Sequence, residues 1–251
     1  MYNFHLTRYY NIDSIMHNLN PLNKIICILL FTIMVLITNN ILYLLLLVLF
    51  MLILIGMSNV SLKEYLKGYK YLLPFILFIF LIDLLFSNIE TSIISILKLI
   101  LFISYASLIL YTTKPNDITY GLSKFLSPLK VFGVDVDSTA LTISLAIRFI
   151  PTILDEGKRV YKSQISRGLN FDGSIKEKID KLVSLIIPIF NMSLKKSEVV
   201  ADTLDTRLYR SNYERTKYKL YNFSFVDENI LLFHIFMLLL LIVLRVILWD
   251  I

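Results

Sequence analysis

The sequence predicts an all-α, polytopic membrane protein with about five transmembrane helices and two long helices outside the bilayer. Three observations carry that class. Hydrophobic residues fill 57% of the 251 positions, mean hydropathy is +0.71, and only 18% of residues are charged, against about a quarter in soluble domains. The apolar residues cluster into runs, such as the 17 uncharged residues Ile41–Met57, that approach the roughly 20 needed to cross a bilayer. The remaining charge is concentrated: residues 155–228 hold 14 of the 25 Lys and Arg and 11 of the 19 Asp and Glu. This composition excludes disordered, disulfide-rich and coiled-coil classes.

Four apolar segments fill the first half: Leu22–Thr38, Ile41–Met57, Tyr71–Phe86 and Ile93–Tyr111. Asn39-Asn40 separates the first two and Ser87–Ser92 the second two, so each pair reads as a tight helical hairpin. The intervening loop, Ser58–Lys70, carries Lys63, Lys67 and Lys70 against Glu64 alone. Positive loops are retained in the cytoplasm, which places this loop and both ends of the four-helix unit inside. A formal net charge of +6 and a pI near 9.2 report the same bias rather than nucleic-acid binding. The first 21 residues are polar and aromatic, with no short apolar core before a small-residue cleavage site, so no cleavable signal peptide is expected.

The charged second half belongs in the cytoplasm, yet it contains the apolar stretches Thr139–Ile153 and Leu182–Met192. If Thr139–Ile153, which includes Arg148, crossed the membrane alone, the basic stretch Lys158–Lys181 would lie outside. Two long helices running from the membrane surface into the cytosol fit better. At 1.5 Å per residue, one over Thr139–Arg167 is about 43 Å long and one over Ile175–Arg207 about 50 Å. Gly168 follows Arg167 as a helix-terminating glycine should. Ser174-Ile175-Lys176-Glu177 fits a capping box opening the second helix, whose Leu182, Leu185, Ile186 and Ile189 form an apolar stripe. Pro151 and Pro188 lie inside these helices and predict a kink in each. The two helices are expected to meet near their apolar middles, Leu145 and Phe149 against Leu185 and Ile189; crossed and parallel packing fit the periodicity equally well. A short helix over Asp117–Leu126 precedes them, and Asn229–Leu248 is a fifth span leading outside, with Arg245 near its outer end running against the positive-inside bias.

The long helices echo each other. Ile150-Pro151 and Lys158-Arg159 recur 37 residues later as Ile187-Pro188 and Lys195-Lys196, and Ser166-Arg167-Gly168 corresponds to Thr206-Arg207-Leu208 at offset 40. One reading is that basic residues simply complement the helix macrodipole. The other is that a repeated pair suits a partner presenting two equivalent grooves, as a two-fold or pseudo-two-fold dimer does.

Thr112-Thr113-Lys114-Pro115-Asn116-Asp117, Gly121-Leu122, Ser127-Pro128-Leu129, Arg148-Phe149-Ile150-Pro151 and Gln164-Ile165-Ser166-Arg167-Gly168 stand in the order found in the transmembrane T components of energy-coupling factor (ECF) transporters. Leu19-Asn20-Pro21-Leu22-Asn23-Lys24 resembles that family's Leu-Asp-Pro-Arg-X-Lys entry to its first span. The resemblance covers nearly the whole chain and is densest over 112–210. It implies an ATP-driven importer for a vitamin or metal ion in the bacterial cell membrane, with this chain as a non-catalytic scaffold. It also implies two or three long cytosolic coupling helices ending in Ala-Arg-Gly-like motifs, which dock into grooves on two ATP-binding-cassette subunits that bind ATP and Mg, and a membrane S component that binds substrate. The motif falls on Ser166-Arg167-Gly168 and Thr206-Arg207-Leu208; losing the glycine at Leu208 predicts a less sharply defined second helix end. The implied organisation is a membrane domain over 1–111, a coupling domain over 112–228 and a C-terminal transmembrane helix over 229–251, with the N-terminus inside and the C-terminus outside.

Other chemistry is weakly signalled. Gly168–Ser174 has the glycine spacing of a phosphate-binding loop, but Ser174 stands where lysine is required and a helix precedes it, so nucleotide hydrolysis is expected in partners. His5, His17, His234 and the single Cys27 show no ligand spacing, and no metal or cofactor is expected in this chain. His234 is expected to face the bundle or the interface. Asp83 and Lys98 are ionisable residues within apolar segments and read as a structural pair or, alternatively, part of an ion relay. A small secondary transporter working without ATPases is the rival class, although such proteins repeat membrane halves around a midplane site. An intramembrane hydrolase lacks its usual residue constellations.

Overall fold

The computed structural model describes residues 9–170, 173–210 and 221–249; among them the chain forms nine α-helices and no strand. The helices are α1 (Ile15–Asn18), α2 (Pro21–Ile37), α3 (Ile41–Ser58), α4 (Leu62–Phe86), α5 (Ile89–Thr112), α6 (Pro115–Phe125), α7 (Val136–Ser166), α8 (Ile175–Thr206) and α9 (Phe225–Trp249), with a 3-10 turn at Ser127–Phe132. Five helices are long and apolar enough to cross a bilayer: α3, α4, α5, α7 and the Phe225–Ile247 part of α9. The protein is a multi-pass, all-α membrane protein. α2, expected among the spans, has only 17 residues and falls short of that length, whereas α7 contains an apolar stretch that reaches it.

Two compact units result: Met1–Pro128 with Tyr218–Ile251, and Leu129–Lys217. Residues 112–128, grouped by sequence with the charged block, pack in the first unit because α6 lies along α2.

In the first unit, asparagines start the early helices. Asn20 and Asn40 each accept the N–H two residues on, from Leu22 and Leu42, both at 3.0 Å. α4 begins at Leu62, so most of the expected basic loop is helical, and Lys63, Lys67 and Lys70 lie on its first turns. Polar side chains hid that extension, since solvated helix looks like loop by composition. α4 and α5 pack as the expected hairpin. α2 and α3 do not pair along their lengths: α2 lies mainly against α6 and α9, and α3 against α5. The buried core comes from Phe31, Met34 and Val35 of α2, Leu44, Leu47 and Phe50 of α3, Leu101 and Tyr105 of α5, and Met237 and Leu241 of α9. Phe31 stacks on Tyr105 with ring centroids 4.5 Å apart. α4 buries only Tyr65, leaving an apolar surface suited to lipid.

One close approach sets how α6 lies on α2. Its buried face is Thr119, Gly121 and Ser123, and a Cβ on Gly121 would sit 2.8 Å from the Pro21 carbonyl carbon and oxygen. Only glycine admits the α2 backbone there.

The second unit is built on an antiparallel pair. As α7 advances, its partners on α8 recede: Ser138 Oγ lies 3.3 Å from the Tyr209 hydroxyl, the Lys196 ammonium lies 5.6 Å from the Phe149 ring centroid, and Gly157 faces the Ile189 Cδ1. The Glu156–Lys196 ion pair at 3.0 Å ties the two helices. Phe149, expected against residues such as Leu185 and Ile189, meets α8 at Lys196, seven residues or about two turns beyond Ile189. The sequence periodicity fixes the face that is buried but not the axial register. Asp135 caps α7 by accepting from the Ser138 N–H at 3.0 Å, and hydrogen bonds from Ser138, side chain and then backbone, hold its carboxyl below the usual range. Ser174 caps α8 by accepting the Glu177 N–H at 3.4 Å, as expected. Pro151 and Pro188 are accommodated within unbroken helices.

Candidate functional site

The expected arginines are the C-cap residues directly after each long helix, with matching geometry. Arg167 has φ −88° and ψ 8°, Arg207 φ −87° and ψ 9°. Beyond Arg167, the Gly168 N–H donates to the Ile165 carbonyl at 2.9 Å and the Leu169 N–H to Gln164 at 3.0 Å. Beyond Arg207, the Leu208 N–H donates to Asp205 and the Tyr209 N–H to Leu204, both at 2.9 Å. Both are Schellman ends, closing the helix through a residue in the left-handed region. That residue is Gly168 at φ 89° in the first and Leu208 at φ 57° in the second. The expectation of a looser second end is therefore corrected: Leu208 adopts the glycine conformation and the helix stops as sharply.

Ser166 and Thr206 turn their hydroxyls onto their own helices, donating to Lys162 at 3.1 Å and Thr203 at 3.0 Å. Both arginines are exposed, and neither side chain has a hydrogen-bond or ion-pair partner among the described residues. Because α7 and α8 are antiparallel, the two guanidinium groups are carried at opposite ends of the pair. Residue 140 of α7 lies level with Arg207, so about 27 residues, or ~40 Å, separate the two tips. A macrodipole contribution of about 0.3–1 kcal/mol accounts for a cation at one helix end. The same contribution is available at each of the two helix ends.

Other expected positions resolve differently. Lys98 donates to Asn39 Oδ1 at 2.8 Å, and no ion pair joins it to Asp83 among the described residues; Asp83 lies three residues before the end of α4, whereas Lys98 lies nine residues into α5. Arg148 is exposed on α7. His234 lies fully buried in the bundle. Its Nδ1 donates to the Ile230 carbonyl at 2.8 Å, and its Nε2 is hydrogen-bonded with the Tyr105 hydroxyl at 3.0 Å. Cys27 is buried, and no metal-holding group of His, Cys, Asp and Glu occurs among the described residues. His5, Phe171 and Asp172 lie outside the described residues.

Sequence reasoning missed a buried polar junction in the first unit. Asp227, 1% exposed, accepts from the Asn20 N–H at 2.8 Å and from the Ser224 N–H and hydroxyl, each at 2.9 Å. Asn23 Nδ2 donates to the Asp227 carbonyl at 2.8 Å. Buried Lys24 donates to the Thr112 carbonyl at 3.0 Å, Thr113 Oγ1 at 3.1 Å and the His17 carbonyl at 3.4 Å. Tyr221 donates to Asp117. The starts of α2 and α9, the end of α5 and α6 are thus joined at one end of the bundle. Asn20, Asn23, Lys24, Thr112 and Thr113 all stand in the motifs quoted above, which was the available signal.

The profile of the family described as CbiQ, cobalt transport protein, matches residues 13–218. The chain belongs to the CbiQ family. Within it, the energy-coupling factor transporter transmembrane protein EcfT of Bacillus subtilis is 32% identical over 224 residues, 82% of this chain and 84% of the relative. EcfT proteins of Ruminiclostridium cellulolyticum and Streptococcus thermophilus are 33% and 31% identical, over 86% and 84% of this chain and 87% of each relative. This CbiQ-family chain is accordingly a T component, the transmembrane protein of an ECF transporter.

Proposed function

We propose that the protein couples ATP hydrolysis by two cytosolic ATP-binding-cassette subunits to uptake of a vitamin or metal ion through a separate substrate-binding S component. The observation that carries this reading is the pair of arginines in matched caps at opposite ends of one helical pair. Each guanidinium offers five donors in a rigid fork, suited to clamp carboxylates or carbonyls in a partner groove. The Glu156–Lys196 tie and the continuous helices make a stiff lever, so movement of one ATPase against the other would be felt at both tips. ATP and Mg belong to the partners, and this chain supplies no catalytic residue. The coupling region, residues 112–228 in the sequence division, faces the cytoplasm together with the N-terminus. α2 and α9 run parallel, since Asn23 meets Asp227 and Ile37 meets Arg245, which supports an outer side for the end of α9 when the start of α2 is inside. The apolar, largely unburied α4 and its neighbours offer the S component a surface within the bilayer, where packing rather than hydrophobic force holds helices together.

Charge reversal tests the reading. Arg167→Glu with Arg207→Glu is expected to abolish ATP-driven uptake and co-purification of the ATPases while the protein still inserts. Normal transport with unchanged co-purification would remove the assignment.

A further inference from the structure

The two arginine-tipped ends differ in one respect that their geometry does not require. Among the described residues, five have positive φ: Asn59, Gly133, Gly168, Gly173 and Leu208. Four are glycine or asparagine, the residues that enter the left-handed region at least cost. Leu208 is the exception, a bulky side chain held where its Cβ crowds the backbone. The helix end does not need it. In a Schellman motif the local apolar contact comes from the following residue, and here Tyr209 is half-buried and reaches Ser138. Leu208 itself is 82% exposed. A strained, outward-facing leucine next to an exposed arginine, at the end where the companion helix carries glycine, is a cost kept for something outside the chain.

We infer that Leu208 is a specificity-determining residue, an apolar knob that enters the ATPase groove beside Arg207 and fixes which groove takes that helix end. The inference rests on the ATPase-docking reading above. An arginine next to a desolvating apolar contact is the composition of an interface hot spot. At the other tip, Gly168 has no side chain, so the groove that holds Arg167 closes flush on the backbone. A groove shaped for Gly168 has no room for Leu208, and one with a pocket for Leu208 leaves a void at Gly168. The two ATPase grooves are therefore non-equivalent, and the protein binds the ATPase pair in one orientation.

The test uses Leu208→Gly and Leu208→Asn in the full chain, since both residues enter the left-handed region readily. Three quantities are measured on the purified complex: thermal stability, the dissociation rate of the ATPases, and cross-linking to them from Ser166→Cys or Thr206→Cys. The expected result is an unchanged or raised melting temperature and dissociation faster by about tenfold. The Thr206→Cys cross-link should weaken while the Ser166→Cys cross-link persists. Unchanged dissociation and cross-linking would overturn the inference, as would a lowered melting temperature, which would make Leu208 a local structural residue. Arg207→Glu separates docking from the knob: if it too leaves dissociation unchanged, the docking reading fails, whereas if only the Leu208 variants are silent, docking stands and the knob falls.

Discussion

Replacing Asp227 by alanine should be among the most damaging single changes in the membrane unit. Its carboxylate accepts from the Asn20 N–H at 2.8 Å and from the Ser224 N–H and hydroxyl at 2.9 Å, in a site 1% exposed. Alanine leaves these donors without acceptors, at about 1–3 kcal/mol for each that is fully buried. It also removes the negative charge near buried Lys24. Allowing for partial hydration around Ser224, we expect a loss of about 3–5 kcal/mol, or roughly 8–15 °C in melting temperature for a chain of this size. Asp227→Asn keeps one amide oxygen for Asn20 but turns its NH2 toward the Ser224 N–H, so it should cost about 1–2 kcal/mol. The assay is thermal unfolding of detergent-purified protein followed by intrinsic fluorescence. An alanine variant within about 1 kcal/mol of the parent, or an asparagine variant as damaged as alanine, would refute the reasoning.

Gly121→Val places a branched side chain where a Cβ alone would lie 2.8 Å from the Pro21 carbonyl, and should cost about 1–3 kcal/mol in the same assay; Gly121→Ala should be milder but still destabilising. A double-mutant cycle of Lys98→Met with Asn39→Ala should give a coupling of about 0.5–1.5 kcal/mol, whereas Lys98→Met with Asp83→Asn should be additive. Additivity of the first cycle with coupling in the second would restore the Asp83–Lys98 pair.

Composition and apolar runs made the helical membrane class readable, because each span must carry its own apolar stretch. Where the reading slipped, the deciding contacts are long-range. α4 begins nine residues before its apolar stretch at Tyr71, since capping and the turns at Lys63 and Lys67 are indifferent to hydropathy. Nothing local in α2 tells that it prefers α6 and α9 to α3. Similarly, Lys98 lies within an apolar run, and only the fold reveals that Asn39 rather than Asp83 receives it. The arginine positions were legible because helix ends carry local signals, and the offset of 40 residues between Arg167 and Arg207 survives as equal cap geometry. Leu208 was not, because its residue type argues against the conformation it adopts. The Asp227 junction joins residues some 200 positions apart, beyond any local pattern.

The most direct test of coupling through two arginine tips exploits the single native cysteine, Cys27, which is buried. Ser166→Cys and Thr206→Cys, introduced one at a time, are treated with a short bifunctional cross-linker in membrane vesicles containing the whole transporter. The account predicts that each cysteine joins covalently to an ATPase subunit, that the two reach different copies, and that neither reacts with an impermeant thiol reagent added outside intact cells. Labelling of either position from outside, or no ATPase adduct at both, would contradict it.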